Sequence, residues 1–377
     1  MTVAPLTVLH ISAARYSPAD RSHATFEIWR RLAEGFRRYV VVARSSTGAR
    51  AVLRERNLIV ILLPSRIEAE SEFLFSQFLA TRLIRRIDPA VIVCQSPVLG
   101  GLVAALIRRT GRPRGLLVEI HGEAYVGKAG LFTKDGILRR LAHIGVGEAT
   151  FVRSLGPGMS SRIAGEYGAR AARKTREVPV RVDLSRFAHV KHGYSLDGPP
   201  KVVMIGVING IKGQLRFLSA IAAMLPSLTV WIIGRGPDEQ KCRDFLQQIG
   251  QADRVRFTGH ITHEQLSTLL PQADALVCFS STEATPRAIL EGMAVGIPVV
   301  SANVGFVSDL FVPEQEGLLL GADPSGGIVT ALERIMSDEA LRARLGRAAR
   351  ARVERDFESG AVYARYRKLI VDTAAAA

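Results

Sequence analysis

Short apolar runs alternate with amphipathic helical stretches along nearly the whole chain, and this alternation limits the possible folds more than any other feature. Runs at 6–11, 39–43, 58–63, 90–94 and 116–120 read as strands, with helical periodicity over 26–36, 73–86 and 99–109 between them. Strands with little polar alternation are buried on both faces, as in parallel sheets covered by helices. The rhythm then restarts. Strand runs recur at 201–205, 228–233, 254–257, 275–279, 298–301 and 317–320, with helices over 214–223, 237–249, 263–270 and 286–295. The pattern predicts an α/β chain with two Rossmann-like, doubly wound parallel-sheet domains facing a cleft. A length of 377 residues allows each domain its own core. Gly193, Gly198, Pro199 and Pro200 mark residues 189–200 as the linker. The expected division is a first domain over 1–190, a second over 191–358, and a terminal helix over 359–377 that packs back on the first.

Charge is distributed unevenly. The net formal charge is +15, yet the chain up to Ser195 holds 31 basic against 15 acidic residues, and the remainder 19 against 20. So lopsided a field favours an anionic partner for the first half alone. Two stretches combine apolar and basic residues at helical spacing. One holds Phe26, Trp29, Leu32 and Phe36 with Arg30, Arg31, Arg37 and Arg38; the other holds Phe73, Leu74, Phe75, Phe78, Leu79, Leu83 and Ile84 with Arg82, Arg85 and Arg86. Basic amphipathic helices can lie on an anionic membrane, and they can equally pack on a sheet with their arginines solvated. The longest uncharged run, 89–107, is interrupted by Gln95, Ser96, Pro97, Gly100 and Gly101. It reads as a strand, a loop and a helix rather than a span. Residues Met1 to Pro5 show no secretory pattern, and Cys94, Cys242 and Cys278 form no paired motif. A cytoplasmic location with reduced, buried thiols is expected, with peripheral attachment at the inner face of the plasma membrane.

The chemistry gathers in one segment. Glu283 and Glu291 are separated by seven residues; an apolar strand precedes the first, and Gly296-Ile297-Pro298 leads into another strand after the second. Pro286 suits the first turn of a helix, which puts Glu283 in the loop before it and Glu291 inside it. Free N–H groups at a helix start hold a diphosphate, and a carboxylate accepts two hydroxyl hydrogen bonds from a ribose. Glu291 is the ribose candidate, and Glu283 lies where sugar hydroxyls would sit.

This segment resembles the signature of retaining glycosyltransferases of family four, also called glycosyl transferases group one. The resemblance covers residues 200 to 360 well and the first half loosely. It implies the GT-B fold and a nucleotide-sugar donor. Three further stretches match in order. Gly206, Asn209, Gly210 and Lys212 fall in what resembles the donor-phosphate loop. Gly234 opens a Gly-x-Gly-Pro turn, and His260 ends a strand that lies near the nucleotide base in the family. By the same resemblance Ala284, Thr285, Pro286 and Arg287 line the donor. Lys212 supplies the cation for the diphosphate, and His121, at the end of Val118-Glu119-Ile120, contacts the transferred sugar. His121, Lys212 and Glu283 are thus the expected catalytic residues.

The departures from the pattern are specific. Val207 stands where the family usually has an arginine, leaving Arg235 or Arg287 to replace it. Ala284-Thr285-Pro286 replaces Gly-Phe-Gly, and residues 12–20 replace an early Gly-Gly loop. Val180 and Arg181 take the places of an Asn and a Gly in a later turn, whereas Gly305 and Asp309 fall where the family has a Gly-rich loop and an acid. No Asp-x-Asp pair occurs, so a donor site without metal or other cofactor is expected. The expected partners are a nucleotide-sugar donor, a glycan or lipid-linked acceptor and an anionic membrane surface, with the stretch from Tyr125 to Lys134 as a loop near the acceptor. Nucleic acid is not among them, since no recognisable module interleaves aromatic and basic residues. The expected activity is sugar transfer in surface polysaccharide or glycolipid synthesis. The alternatives are a donor-binding protein without transfer activity and a nucleotide-sugar epimerase on the same fold.

Overall fold

The computed structural model describes residues 4–19, 24–64, 84, 86–110, 114–121 and 134–377. Phe73, Phe75, Phe78 and most of the expected helix around them lie outside the described residues, as do Asp20 and the expected acceptor loop up to residue 133. The chain forms two compact units, Met1–Pro179 with Val362–Ala377, and Val180–Ala361.

In the first unit the strands are β1 (Ala4–Tyr16), β2 (Phe36–Ser45), β3 (Ala51–Glu55), β4 (Leu58–Leu63), β5 (Val91–Cys94), β6 (Gly115–Glu119), β7 (Phe151–Ser154) and β8 (Thr175–Glu177). They form one sheet in the order β3-β4-β2-β1-β5-β6-β7-β8. Edge strand β3 runs antiparallel to β4, and the other pairings are parallel. The described helices are α1 (Ala24–Ala33), α2 (Pro97–Thr110), α3 (Lys134–Glu148) and α4 (Pro157–Lys174). The uncharged run at 89–107 resolves into β5, a short loop and α2. No helix among the described residues is long and apolar enough to cross a membrane.

Helix α1 corrects one expectation. Phe26, Trp29 and Leu32 of α1, with Phe36 at the start of β2, are at most 1% exposed and form the unit's core with Val8, Val41 and Val60. Burial of each large side chain stabilises the fold by roughly 1.5–3 kcal/mol, so the apolar face of α1 packs on the sheet and is closed to a bilayer. Its arginines pair on the outside, Arg30 with Glu55 at 2.7 Å and Arg31 with Glu27 at 3.0 Å. Strand β1 also runs into the expected loop at 12–20, as far as Tyr16: its register with β2 slips between Ile11 and Arg15, then resumes to Tyr16. The Tyr16 ring meets Trp29 edge-on at 4.7 Å, which anchors the extension.

In the second unit β9 (Lys201–Ile205), β10 (Thr229–Ile233), β11 (Val255–Gly259), β12 (Ala275–Cys278), β13 (Val299–Ala302) and β14 (Leu318–Leu320) form a parallel sheet in the order β11-β10-β9-β12-β13-β14. Helices α5 (Gln214–Ala220), α6 (Glu239–Gln248), α7 (His263–Leu269), α8 (Arg287–Val295), α9 (Pro324–Ser337) and α10 (Glu339–Asp356) accompany it. Two apolar clusters, one built around Val202, Phe217 and Ile232 and the other around Val203, Leu290 and Phe311, make its core. Order reverses between β9 and its two neighbours, the kind of switch point at which open α/β sheets bind ligands.

The change-over between units falls at Pro179/Val180, ahead of the Gly- and Pro-rich 189–200 stretch. Val182 N donates to Phe357 O at 2.8 Å, and Phe187 is buried in the second unit's core, which draws these residues into it. The last helix, α11 (Ser359–Ala375), buries Val362, Tyr363, Tyr366, Leu369 and Ile370 in the core of the first unit. All three cysteines are free and buried, and burial pushes each thiol pKa up.

Candidate functional site

Three glycines let the ends of β9, β10 and β11 come together. Gly206 N donates to Ile233 O at 2.9 Å, and Gly234 N donates to Gly259 O at 3.0 Å. Gly234 has φ 136°, and a Cβ there would lie 2.1 Å from Gly206 O, a separation no side chain tolerates. The following loop is held by its own polar side chains. Asn209 Oδ1 accepts from Lys212 N at 2.9 Å, and Gln214 Nε2 donates to Val207 O at 3.1 Å. Asn209 therefore shapes the turn that presents Lys212, and Gly210 beside it is exposed.

Lys212 and Glu283 meet. The Lys212 ammonium donates to Glu283 Oε1, and Ser280 Oγ donates to the same oxygen at 2.8 Å. They line a cavity of about 30 Å³ together with Pro286 and Arg287 at the start of α8. Among the described residues no side chain caps that helix end, and no acidic residue occupies its first turn. Ile289 N donates to Pro286 O at 3.3 Å, but the N–H groups of Arg287 and Ala288 lie ahead of any intrahelical acceptor, and the positive end of the dipole faces an incoming anion. An arginine in the first turn opposes the dipole and lowers helix stability, an arrangement that suits a bound anion better than an empty site.

The loop from Glu283 is set from behind. Phe306 N donates to Ala284 O at 3.1 Å, and Gly305 has φ 57°. A Cβ on Gly305 would lie 1.6 Å from Glu283 O, so only glycine lets the two chain segments approach. Among the described residues, Thr285 Oγ1 is buried with no hydrogen-bond partner. Glu291 sits one turn inside α8, half-buried. Burial raises its carboxyl pKa, and the Arg287 charge opposes that rise. Glu291 and the exposed His260 do not line the cavity. Of the two candidate replacement arginines, Arg287 lines it and Arg235 lies against Gly259. Val207 is 52% exposed. Among the described residues no cluster of three or more His, Cys, Asp or Glu forms a metal site.

His121 belongs to the first unit, just past β6, and its exposed ring donates from Nε2 to Glu119 Oε2 at 3.1 Å. The Glu119 carboxylate is buried against Arg153, 2.6 Å from its other oxygen, and against the Tyr366 hydroxyl. Burial raises the Glu119 pKa, but Arg153, His121 and His10 together hold it well below the usual carboxylate range. Sequence reasoning missed Ser280, Arg153 and Tyr366. Ser280 carried a usable signal, three residues before Glu283; the other two are brought in only by the fold.

Two doubly wound α/β sheets, parallel except at the edge strand β3, give the chain the GT-B fold. The sucrose-phosphate synthase of Thermosynechococcus elongatus aligns over 99% of this chain and 100% of its own, with a TM-score of 0.77 and 20% identity. Residues 188–352 match the family described as Glycosyl transferases group 1. A glycogen synthase from Mycobacterium tuberculosis is 29% identical over 164 residues, which span 43% of this chain and 40% of that protein's length. A GDP-mannose-dependent alpha-(1-6)-phosphatidylinositol monomannoside mannosyltransferase from Mycolicibacterium smegmatis is 27% identical over 266 residues, 66% of this chain and 68% of its own.

Proposed function

We propose that the protein transfers a sugar from a nucleotide-diphosphate sugar to a glycan or lipid-linked acceptor, retaining the anomeric configuration and using no metal, in surface polysaccharide or glycolipid synthesis. The observation that carries this reading is the Lys212 ammonium held on Glu283 beside the uncapped start of α8. The two charges neutralise each other. A diphosphate at the helix end competes with Glu283 for the ammonium, and Glu283 becomes free to accept sugar hydroxyls. As the bond from the anomeric carbon to the diphosphate breaks, charge grows on the leaving oxygen, where Lys212, Arg287 and the helix N–H groups stabilise it. Glu291, half-buried on the same helix, takes the ribose, and His260 lies toward the base. His121 contacts the transferred sugar.

The excess of positive charge before Ser195 supports an anionic partner for the first unit, and a relative named for a phosphatidylinositol acceptor favours a lipid headgroup at the inner membrane face. Donor binding without transfer is the second reading, favoured by the exposed apolar Val207 where the resemblance places a cation.

The test is a thermal-shift panel of nucleotide sugars on the wild type, Lys212→Ala and Glu291→Ala. A bound donor raises apparent stability by mass action. One base series should stabilise the wild type, and both variants should lose that shift. Equal shifts in all three proteins would remove the donor-site assignment. Release of nucleoside diphosphate from the stabilising donor separates transfer from mere binding.

A further inference from the structure

We infer that Arg153 and Tyr366, acting through Glu119, are positioning residues that fix the ring of His121 and its tautomer. The inference rests on the proposed role of His121 at the transferred sugar. Glu119 ends β6 with its side chain 1% exposed, and its two oxygens are divided between two tasks. Oε1 accepts from Arg153 Nη1 at 2.6 Å and from the Tyr366 hydroxyl of α11. Oε2 accepts from His121 Nε2 at 3.1 Å.

The holders are themselves held. Arg153, on β7, also donates from Nε to Val178 O at 3.1 Å and from Nη2 to Pro179 O at 3.3 Å. Its guanidinium carbon lies 4.3 Å from the centre of the Tyr366 ring. Among the described residues, the other titratable groups coupled to this cluster are His10 on β1, Tyr39 on β2 and Cys94 on β5, all buried. Tyr39 and His10 are bonded to each other, Tyr39 hydroxyl to His10 Nδ1 at 2.7 Å. The carboxylate of Glu119 is therefore a rigid acceptor reached from three elements.

An ionised carboxylate only accepts hydrogen bonds, so the neutral His121 ring must carry its proton on Nε2. That leaves Nδ1 as an acceptor for a sugar hydroxyl. A buried ion pair needs only one carboxylate oxygen. Placing both internal donors on Oε1 leaves Oε2 to a ring that is 41% exposed, which is how a buried group orients an exposed one. Tyr366 extends the chain of contacts to the C-terminal helix.

Nitrogen NMR of the full chain with ¹⁵N-labelled histidine tests this, with His121→Asn identifying the resonances by their disappearance. The neutral wild-type ring should show the Nε2–H tautomer. Glu119→Gln and the milder Tyr366→Phe should each shift the ring toward a tautomer mixture, and Tyr366→Phe should slow hydrolysis of the stabilising nucleotide sugar by ~10-fold with its KM within about twofold. A wild-type Nδ1–H ring, or a ring unchanged in the folded Tyr366→Phe variant, overturns the inference. If His121→Asn hydrolyses donor at the wild-type rate, it is the role of His121 in the reaction that fails; the tautomer measurement stands apart from that outcome.

Discussion

Lys212 shows how a single ammonium can be kept ready without being spare. Its charge is balanced by Glu283 and its backbone is fixed by Asn209, so a diphosphate meets an organised group. Lys212→Ala should slow donor turnover ~10²–10³-fold, the usual loss when one preorganised charge stabiliser is removed, measured as nucleoside diphosphate release. His10 gives a second prediction. Burial lowers its pKa from 6.5 to about 4, with Glu119 opposing and His121 and Arg153 assisting. A base with a depressed folded pKa binds more protons when unfolded, so stability rises with pH across that window. The first unit should lose ~3 kcal/mol between pH 7 and 4, beginning near pH 6.5. Trp29, buried in that unit, reports urea unfolding once Trp231 is replaced by Phe, and His10→Gln should flatten the slope above pH 4.5. Lys212 and Glu283 were legible because the loops carrying them follow strands and glycines at recognisable spacing. Glu119 and Arg153 were not: each is a charge inside a short apolar run, and the pairing that makes burial tolerable joins positions far apart in the chain.

Among the elements, the loop between β12 and α8 depends on a neighbour. Gly305→Ala would force its Cβ onto Glu283 O at a backbone angle L side chains seldom adopt. We expect a loss of ~1–3 kcal/mol in the second unit and disappearance of the donor thermal shift. Gly165→Ala, in α4 with open space around it, should instead gain ~0.5–1 kcal/mol. Differential scanning calorimetry with and without donor reads both. Every strand of the second sheet was legible, because each is an apolar run bounded by turn residues. In the first sheet β3, β7 and β8 were not. The antiparallel edge strand β3 shows only partial burial, β8 is three residues long, and β7 has Arg153 in its middle. The basic face of α1 was ambiguous for a physical reason: one pattern of apolar and arginine residues serves a sheet-packed helix and a membrane-lying one.

At the scale of the whole molecule, the charge contrast between the first half and the remainder sets the expected behaviour toward surfaces. Vesicles containing phosphatidylglycerol should bind the full chain at low ionic strength and release it above about 0.3 M salt, where screening shortens the reach of these charges; co-sedimentation measures this, and no binding at low salt removes the membrane partner. The two-unit organisation was legible from the restart of the strand rhythm. Its boundary was not, because the Gly- and Pro-rich segment is a surface excursion within the second unit.

The first unit is discontinuous: it includes Val362–Ala377, whose tyrosines and leucine complete its core. On the ribosome this reverses the order expected from synthesis. The amino-terminal strands emerge first but must wait, with an open apolar face, for the final helix, whereas every core element of the second unit precedes that helix in the chain. Released chains truncated after residue 361 should therefore show a protease-resistant second unit and a first unit that recruits chaperones.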